Sequence, residues 1–225
     1  MAEEDFDIHS LAAYLHLQVA QVARLADRGK FPGRKVQGQW RFSQADIHHW
    51  LENRIGLSDE AELEKFETIL RPPTAHRNAP RAISELLTLT AIEVPLQART
   101  RSSVISSMAE LAARTGWLWD AQKMAAALLD REEMHPTALD NGVALLHPRR
   151  PMTSILGQEF LAFGRTASGI PFGGDHGGLT DLFFLLCSTD DRGHLQTLAR
   201  LSRLITEPAL LTKLREVSDA QAIHS

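Results

Sequence analysis

Apolar and polar positions along this chain follow two periods, and the changes of period mark its parts. Leu11, Tyr14 and Leu15 recur at helical spacing behind Ser10, which predicts a short helix over "LAAYLHL" capped by that serine. A second helix is predicted over "VAQVARLADRGK", with Val19, Val22, Ala23 and Ala26 on one face and Gly29 as its stop. The pattern then shortens. In "FPGRKVQGQWRF", Pro32-Gly33 and Gln37-Gly38 read as turns, leaving Val36, Trp40 and Phe42 for a two-stranded ribbon. Ser43 caps a third helix, "QADIHHWLENRI", with Ile47, Trp50 and Leu51 on its apolar face. Trp40 and Trp50 are expected in the core of this unit.

Helical spacing returns in "SDEAELEKFETIL", where Leu63, Phe66 and Ile69 or Leu70 share a side, as a connecting or dimerising helix or a plain surface helix would arrange them. The stretch "ILRPPTAHRNAPRA", with Pro72, Pro73 and Pro80, is expected to be extended and partly rigid. From about Arg81 helical and strand-like runs alternate. "SVISSMAELAARTG" carries Val104, Met108, Leu111 and Ala112 on one face, and "DAQKMAAALLDREEM" is capped by Asp120. Short apolar runs follow in "GVALLH", "EFLAFG" and "DLFFLLC", the last apolar on both faces as a doubly covered strand requires. Two amphipathic helices, "GHLQTLARLSRLI" and "EPALLTKLREV", come last. This predicts three segments: a small helical unit over residues 6–56, a linker over 57–81 and an α/β domain over 82–225.

Composition narrows the class. With 225 residues, 44% of them hydrophobic and 23% charged, the chain can build two globular cores. No apolar run nears the roughly 20 residues that cross a bilayer, and the start, "MAEEDFDIHS", is acidic where a secretory signal is basic and then apolar; a cytoplasmic protein with no membrane segment is expected. The single cysteine, Cys187, lies within an apolar run and reads as a small core residue. The net charge of -4 conceals an uneven distribution. Arg24, Arg28, Lys30, Arg34, Lys35 and Arg41 face only Asp27 in that span, whereas Asp59, Glu60, Glu62, Glu64 and Glu67 face only Lys65. Opposite charge blocks imply separate tasks.

The order helix, turn, helix, basic ribbon, capped helix over residues 10–55 resembles the winged helix-turn-helix module of the excisionase/MerR type. That resemblance implies DNA as a partner, with the second helix approaching the major groove and the ribbon touching the phosphate backbone. By position, Gln18, Gln21, Arg24 and Arg28 would face the groove, and Arg34, Lys35, Gln39 and Arg41 would lie on or beside the wing. The residue types suit it, since arginine and glutamine read guanine and adenine edges while wing cations neutralise phosphates.

His147 ends the apolar run "GVALLH" and is followed by "PRRP". On its own, a strand-end histidine reads as a structural residue, a metal ligand or a nucleophile; one cysteine and scattered histidines offer no zinc-ligand spacing. The segment "REEMHPTALDNGVALLHPRRP" is similar to the active-site segment of the type 2 enzyme IIA domains of the bacterial sugar phosphotransferase system, in the fructose, mannitol and nitrogen-regulatory branch. Downstream, "DLFFLLCSTDDRGHLQTLARLSRLI" resembles the strand-loop-helix carrying the second histidine of those domains. The resemblance spans residues 82–218 and implies a mixed sheet flanked by helices, beside the small N-terminal winged helix-turn-helix domain.

By that resemblance His147 accepts a phosphoryl group from a small histidine phosphocarrier protein and His194 shares its pocket. Arg149 is placed to pair with phosphate oxygens, and Thr137 is a hydroxyl donor. Neutral imidazole is a nucleophile near neutral pH, and phosphoryl transfer asks chiefly for positioning and charge stabilisation around an exposed ring, with no cofactor or metal. Two departures stand out: Leu146 replaces the usual proline before the active histidine, and Pro148, where the family has a small residue, removes a backbone N–H. The two resemblances together imply a regulator that couples a phosphorylatable domain to DNA binding, with a homodimer expected. The alternatives are a DNA-binding regulator whose second domain senses or oligomerises without phosphorylation, and a phosphocarrier whose first domain binds protein.

Overall fold

The structure, a computed structural model, describes residues 5–15, 17–57, 82–174 and 177–224. The expected helix over 58–70, the proline-rich stretch up to residue 81, and His16, His76 and His176 lie outside the described residues. Packing divides the chain into two compact units, Met1–Pro73 and Thr74–Ser225.

The first unit contains α1 (Ile8–Tyr14), α2 (Val19–Asp27), β1 (Arg34–Val36), β2 (Gln39–Arg41) and α3 (Gln44–Leu57). Ser10 does not cap α1. Asp7 does: its carboxylate accepts from the Ser10 N–H at 2.7 Å, while the Ser10 hydroxyl accepts from the Asp7 N–H at 2.9 Å. The helix therefore begins three residues before Leu11, the first of the apolar repeat, because a reciprocal cap satisfies two otherwise orphaned amides. On α2, Val22 and Ala26 are buried, but Val19 is 37% exposed in the first turn. Gln37 and Gly38 both take positive φ, 51° and 80°, the geometry that lets a two-residue turn match the twist of β1 and β2. The core gathers Leu11, Leu15, Val22, Phe31, Phe42, Ile47, Leu51 and Ile55. Trp40 and Trp50 are only half buried. Trp40 stacks on Phe42 at 5.8 Å and hands its indole N–H to Asp27; Trp50 meets Phe31 edge-on at 4.7 Å. Each covers a core phenylalanine while keeping an outer face wet.

The second unit contains α4 (Ile83–Leu86), β3 (Leu87–Glu93), α5 (Arg101–Ala113), α6 (Ala121–Met134), β4 (Val143–Leu146), β5 (Phe160–Pro171), β6 (Leu179–Cys187), α7 (Asp191–Leu204), α8 (Pro208–Glu216) and α9 (Ala220–His224). The strands form one sheet in the order β3-β5-β6-β4, with β3 parallel to β5, β5 antiparallel to β6 and β4 parallel to β6. Inner strands β5 and β6 form a long hairpin, in which "ASGIP" is the last part of β5. Leu182 to Cys187 and all of β4 are buried. On one face α5 and α6 pack Val104, Met108, Met124 and Leu128 against Ala144, Leu146, Ala162, Phe183 and Leu185. Helix α7 packs against β6 and α9 against β3.

The turn before β4 is tied down. Gly142 has φ +83°, and the Arg215 guanidinium donates to both Asp181 carboxylate oxygens and to the Asn141 carbonyl, each at 2.8 Å. The Asn141 amide donates to the Ile205 carbonyl at 3.0 Å. These bonds fix where β4 starts, and hence where residue 147 emerges.

Candidate functional site

Strand β4 carries His147 one residue past its end, and Asp190 caps α7 so that His194 sits within its first helical residues. The two rings lie 5.2 Å apart between centroids and are tilted 51° to each other. Residues 47 positions apart thus share one pocket because β4 and β6 are parallel neighbours and α7 follows β6. His147 Nδ1 donates to the Leu145 carbonyl at 2.8 Å. A carbonyl can only accept, so in the neutral ring the proton sits on Nδ1 and the lone pair on Nε2. His194 Nδ1 is 3.2 Å from the Ser188 hydroxyl. Both histidines are 4% exposed, so His147 is a buried ring and not the exposed one expected of a phosphoryl acceptor.

A buried polar cluster adjoins this pair. Glu132, on the inner face of α6, is 1% exposed and accepts the Thr137 N–H at 3.1 and 3.2 Å, together with the Thr137 hydroxyl. Arg101, at the start of α5, reaches Glu132 at 3.5 Å and lies over the Phe172 ring at 5.8 Å. Burial pushes the Glu132 carboxyl above its ordinary range; the Thr137 bonds, Arg101 and His147 act in the opposite direction. The Thr137 hydroxyl is therefore engaged with a carboxylate. Arg149 is exposed, whereas Arg131 is 4% exposed and donates to the His135 carbonyl at 2.7 Å.

Arg101, Glu132 and Ser188 were missed by sequence reasoning. One signal was present for Glu132: Met124, Leu128, Arg131 and Glu132 fall on a single helical stripe, and a charged pair on an apolar stripe marks a buried polar site. No local signal exists for Ser188, which reaches His194 only through the fold.

In the first unit Gln18, Gln21, Arg24 and Arg28 are all exposed along α2, and Arg34, Lys35 and Gln39 are exposed on the ribbon, with Arg41 half buried. Some are already partnered. The Gln21 side chain accepts the Gln18 N–H at 3.0 Å, Arg34 meets Asp5 at 2.7 Å, and Lys35 meets Asp27 at 3.4 Å while lying over Trp40 at 4.9 Å.

Residues 85–225 match the family described as "Phosphoenolpyruvate-dependent sugar phosphotransferase system, EIIA 2". The chain belongs to this family. Residues 7–55 match the family described as "Helix-turn-helix domain", so an enzyme IIA type 2 domain follows a helix-turn-helix domain. The chain is 37% identical over 141 residues to the nitrogen regulatory protein of Bradyrhizobium diazoefficiens, covering 61% of this chain and 90% of that one. It is 29% identical over 143 residues to the fructose-specific EIIABC component of the phosphotransferase system of Bacillus subtilis, covering 63% of this chain but only 22% of that longer protein. The crystal structure of nitrogen regulatory protein IIA-Ntr from Neisseria meningitidis superposes with a TM-score of 0.57 at 25% identity, covering 63% of this chain and 96% of that one. The mixed sheet flanked by helices is thus the enzyme IIA type 2 fold. Among the described residues no helix is long and apolar enough to cross a membrane.

Proposed function

We propose that this chain is a cytoplasmic bacterial regulator in which phosphorylation of an enzyme IIA unit at His147 governs DNA binding and transcription. The division of labour is a DNA-binding domain at 6–56, a linker at 57–81 and the phosphoryl acceptor at 82–225. The observation that carries this reading is the His147–His194 pair, in which the Leu145 carbonyl holds the proton on His147 Nδ1. The Nε2 lone pair attacks the phosphorus of a phosphohistidine on a small phosphocarrier protein. The new P–N bond forms as the donor's breaks, and the electron pair of the broken bond returns to the donor ring. His194 shares the pocket and supplies a proton to the incoming phosphate, and Arg149 pairs with its oxygens as the partner docks. Thr137 acts on the site through Glu132. The reaction needs no cofactor and no metal.

On this reading Gln18, Gln21, Arg24 and Arg28 face the major groove, and Arg34, Lys35, Gln39 and Arg41 serve the phosphate backbone. The test is incubation of the full chain with phosphocarrier protein, its phosphorylating enzyme and labelled phosphoenolpyruvate. An acid-labile label on His147, lost in His147→Ala, is expected, and no transfer overturns the reading. One observation favours a second reading, in which the enzyme IIA unit senses or oligomerises without phosphorylation: His147 is 4% exposed. Under that reading His147→Ala leaves operator affinity unchanged in the presence of the complete phosphoryl-transfer chain.

A further inference from the structure

Within the first unit, the end of α2, the residues that follow it and the last turns of α3 enclose a cavity of about 370 Å³. Leu17, Leu25, Phe31 and Trp50 make its apolar walls, and Arg28, Lys30 and Arg54 make its cationic rim. No acidic residue lines it among the described residues, and there neither Arg28 nor Lys30 has an ion-pair partner. Apolar walls with a rim of one sign suit an amphipathic segment of the opposite sign.

The chain's own sequence supplies such a segment. Residues 58–67 hold Asp59, Glu60, Glu62, Glu64 and Glu67 against Lys65, and Leu63, Phe66 and Leu70 follow the i, i+3, i+7 spacing of groove anchors. We propose that the groove receives residues 58–70 of a second copy of this chain, each copy lending its segment and offering its groove. A cavity this small holds only a few anchor side chains, so one contact is weak. A two-fold arrangement makes the contact twice and closes, leaving no unfilled groove to recruit further copies. Two copies then present two α2 helices, the arrangement a two-fold symmetric DNA site requires, with Gln18, Gln21 and Arg24 left to the DNA and Arg28 given to the partner segment.

A charge swap read by sedimentation of the full chain in the absence of DNA tests this. One variant reverses the groove, Arg28→Glu with Lys30→Glu; the other reverses the segment, Glu60→Lys with Glu64→Lys and Glu67→Lys, which takes residues 58–67 from a net charge of -4 to +2. The parent is expected to dimerise in the micromolar range and each variant alone to associate about tenfold more weakly or worse. An equimolar mixture of the two recovers parental association, because both groove-segment contacts in the mixed pair regain opposite charges. A parent that stays monomeric, variants that associate like the parent, or a mixture that does not recover overturns the proposal. Cysteine pairing gives a second measurement that does not depend on the reversed variants folding. A chain with Leu17→Cys mixed with one carrying Leu63→Cys forms a disulfide-linked heterodimer if the proposal holds, Cys187 being buried and silent. A chain bearing both substitutions that closes only on itself places the segment in its own groove and refutes the exchange.

Discussion

Thr137→Val separates two roles for a residue beside His147. The hydroxyl donates to Glu132, which is 1% exposed and also receives the Thr137 N–H. Valine preserves the shape and the amide but withdraws one hydrogen bond from a buried carboxylate. A hydrogen bond to a charged group contributes about 1.5–3 kcal/mol, and leaving its acceptor short of a partner costs a similar amount. For a unit of this size 1 kcal/mol moves the midpoint by about 2–4 °C, so a loss of about 3–12 °C is expected near neutral pH. Near-ultraviolet circular dichroism on heating reads it, because Trp117 and Trp119 lie in the same unit as the substitution. Thr137→Ser keeps the hydroxyl and is expected to retain most of the stability. The deficit of Thr137→Val shrinks on acidification, since a protonated Glu132 has less need of donors. A variant that melts with the parent yet no longer accepts phosphate would refute the reasoning and assign the hydroxyl to the phosphoryl group itself.

Gly142→Ala places a Cβ 2.6 Å from the Arg215 guanidinium at φ +83°; left-handed backbone costs about 1–2 kcal/mol and loss of a partly exposed ion pair up to about 1 more, so urea unfolding should show a drop of about 1–3 kcal/mol. A drop under about 0.5 kcal/mol would mean the turn relaxes freely. Glu132→Gln tests the raised carboxyl: a group whose folded value lies above its unfolded one contributes stability that is present below the unfolded value, 4.5, and is lost as pH rises through the folded value, so the parent should lose stability over that window while the glutamine variant stays flatter. Equal slopes in the two proteins would remove Glu132 from the site's electrostatics. Under the proposed DNA reading, Arg24→Ala should cost about 1–3 kcal/mol on the preferred operator and relax base preference, whereas Lys35→Ala should weaken all sequences alike and lower the salt slope by about one. Competition binding at several salt concentrations separates the two, and identical behaviour of both variants would contradict the assignment of α2 to the groove.

How much of this was readable in the sequence depends on how local each cause is. Strands β4 and β6 were plain because a strand covered on both sides reads as an unbroken apolar run. Strand β3, "LTLTAIE", was missed. It lies at a sheet edge with Leu89 46% exposed, although Leu87, Leu89 and Ala91 alternate with Thr88 and Thr90 as a strand's residues do. The second half of β5 lies beyond the apolar run "EFLAFG" and carries Gly169 and Pro171, yet Ile170 is 3% exposed and pairs with Thr180 on β6. The two histidines were legible through the motifs around them. The polar cluster was not legible, since Arg101 and Glu132 are 31 positions apart and meet only because α5 and α6 pack as neighbours.

The bonds at the two ends of β4 and α7 constrain what an added charge at His147 can do. At one end the His147 ring faces His194, which is in turn held by Ser188 at the end of β6. At the other, Asn141 before β4 donates to the carbonyl of Ile205, the residue that caps α7, and Arg215 clamps Asn141 to Asp181 at the foot of β6. Strand, helix and their shared neighbour thus form a frame tied at both ends, with Leu195, Leu198, Ala199 and Leu201 of α7 buried between them. A dianion arriving at His147 cannot turn the His194 backbone alone, because the first turn of α7 is held by Asp190 and its buried face by packing. On the proposed reading its effect is carried either by proton transfer within the site or by a rigid displacement of α7 that strains the Asn141–Ile205 bond. Asn141→Ala releases the far end of the frame without touching either histidine. If signalling from the site runs through α7, that substitution leaves phosphoryl acceptance at the parental level and lowers the response that follows; if redistribution of protons alone carries the signal, both remain unchanged.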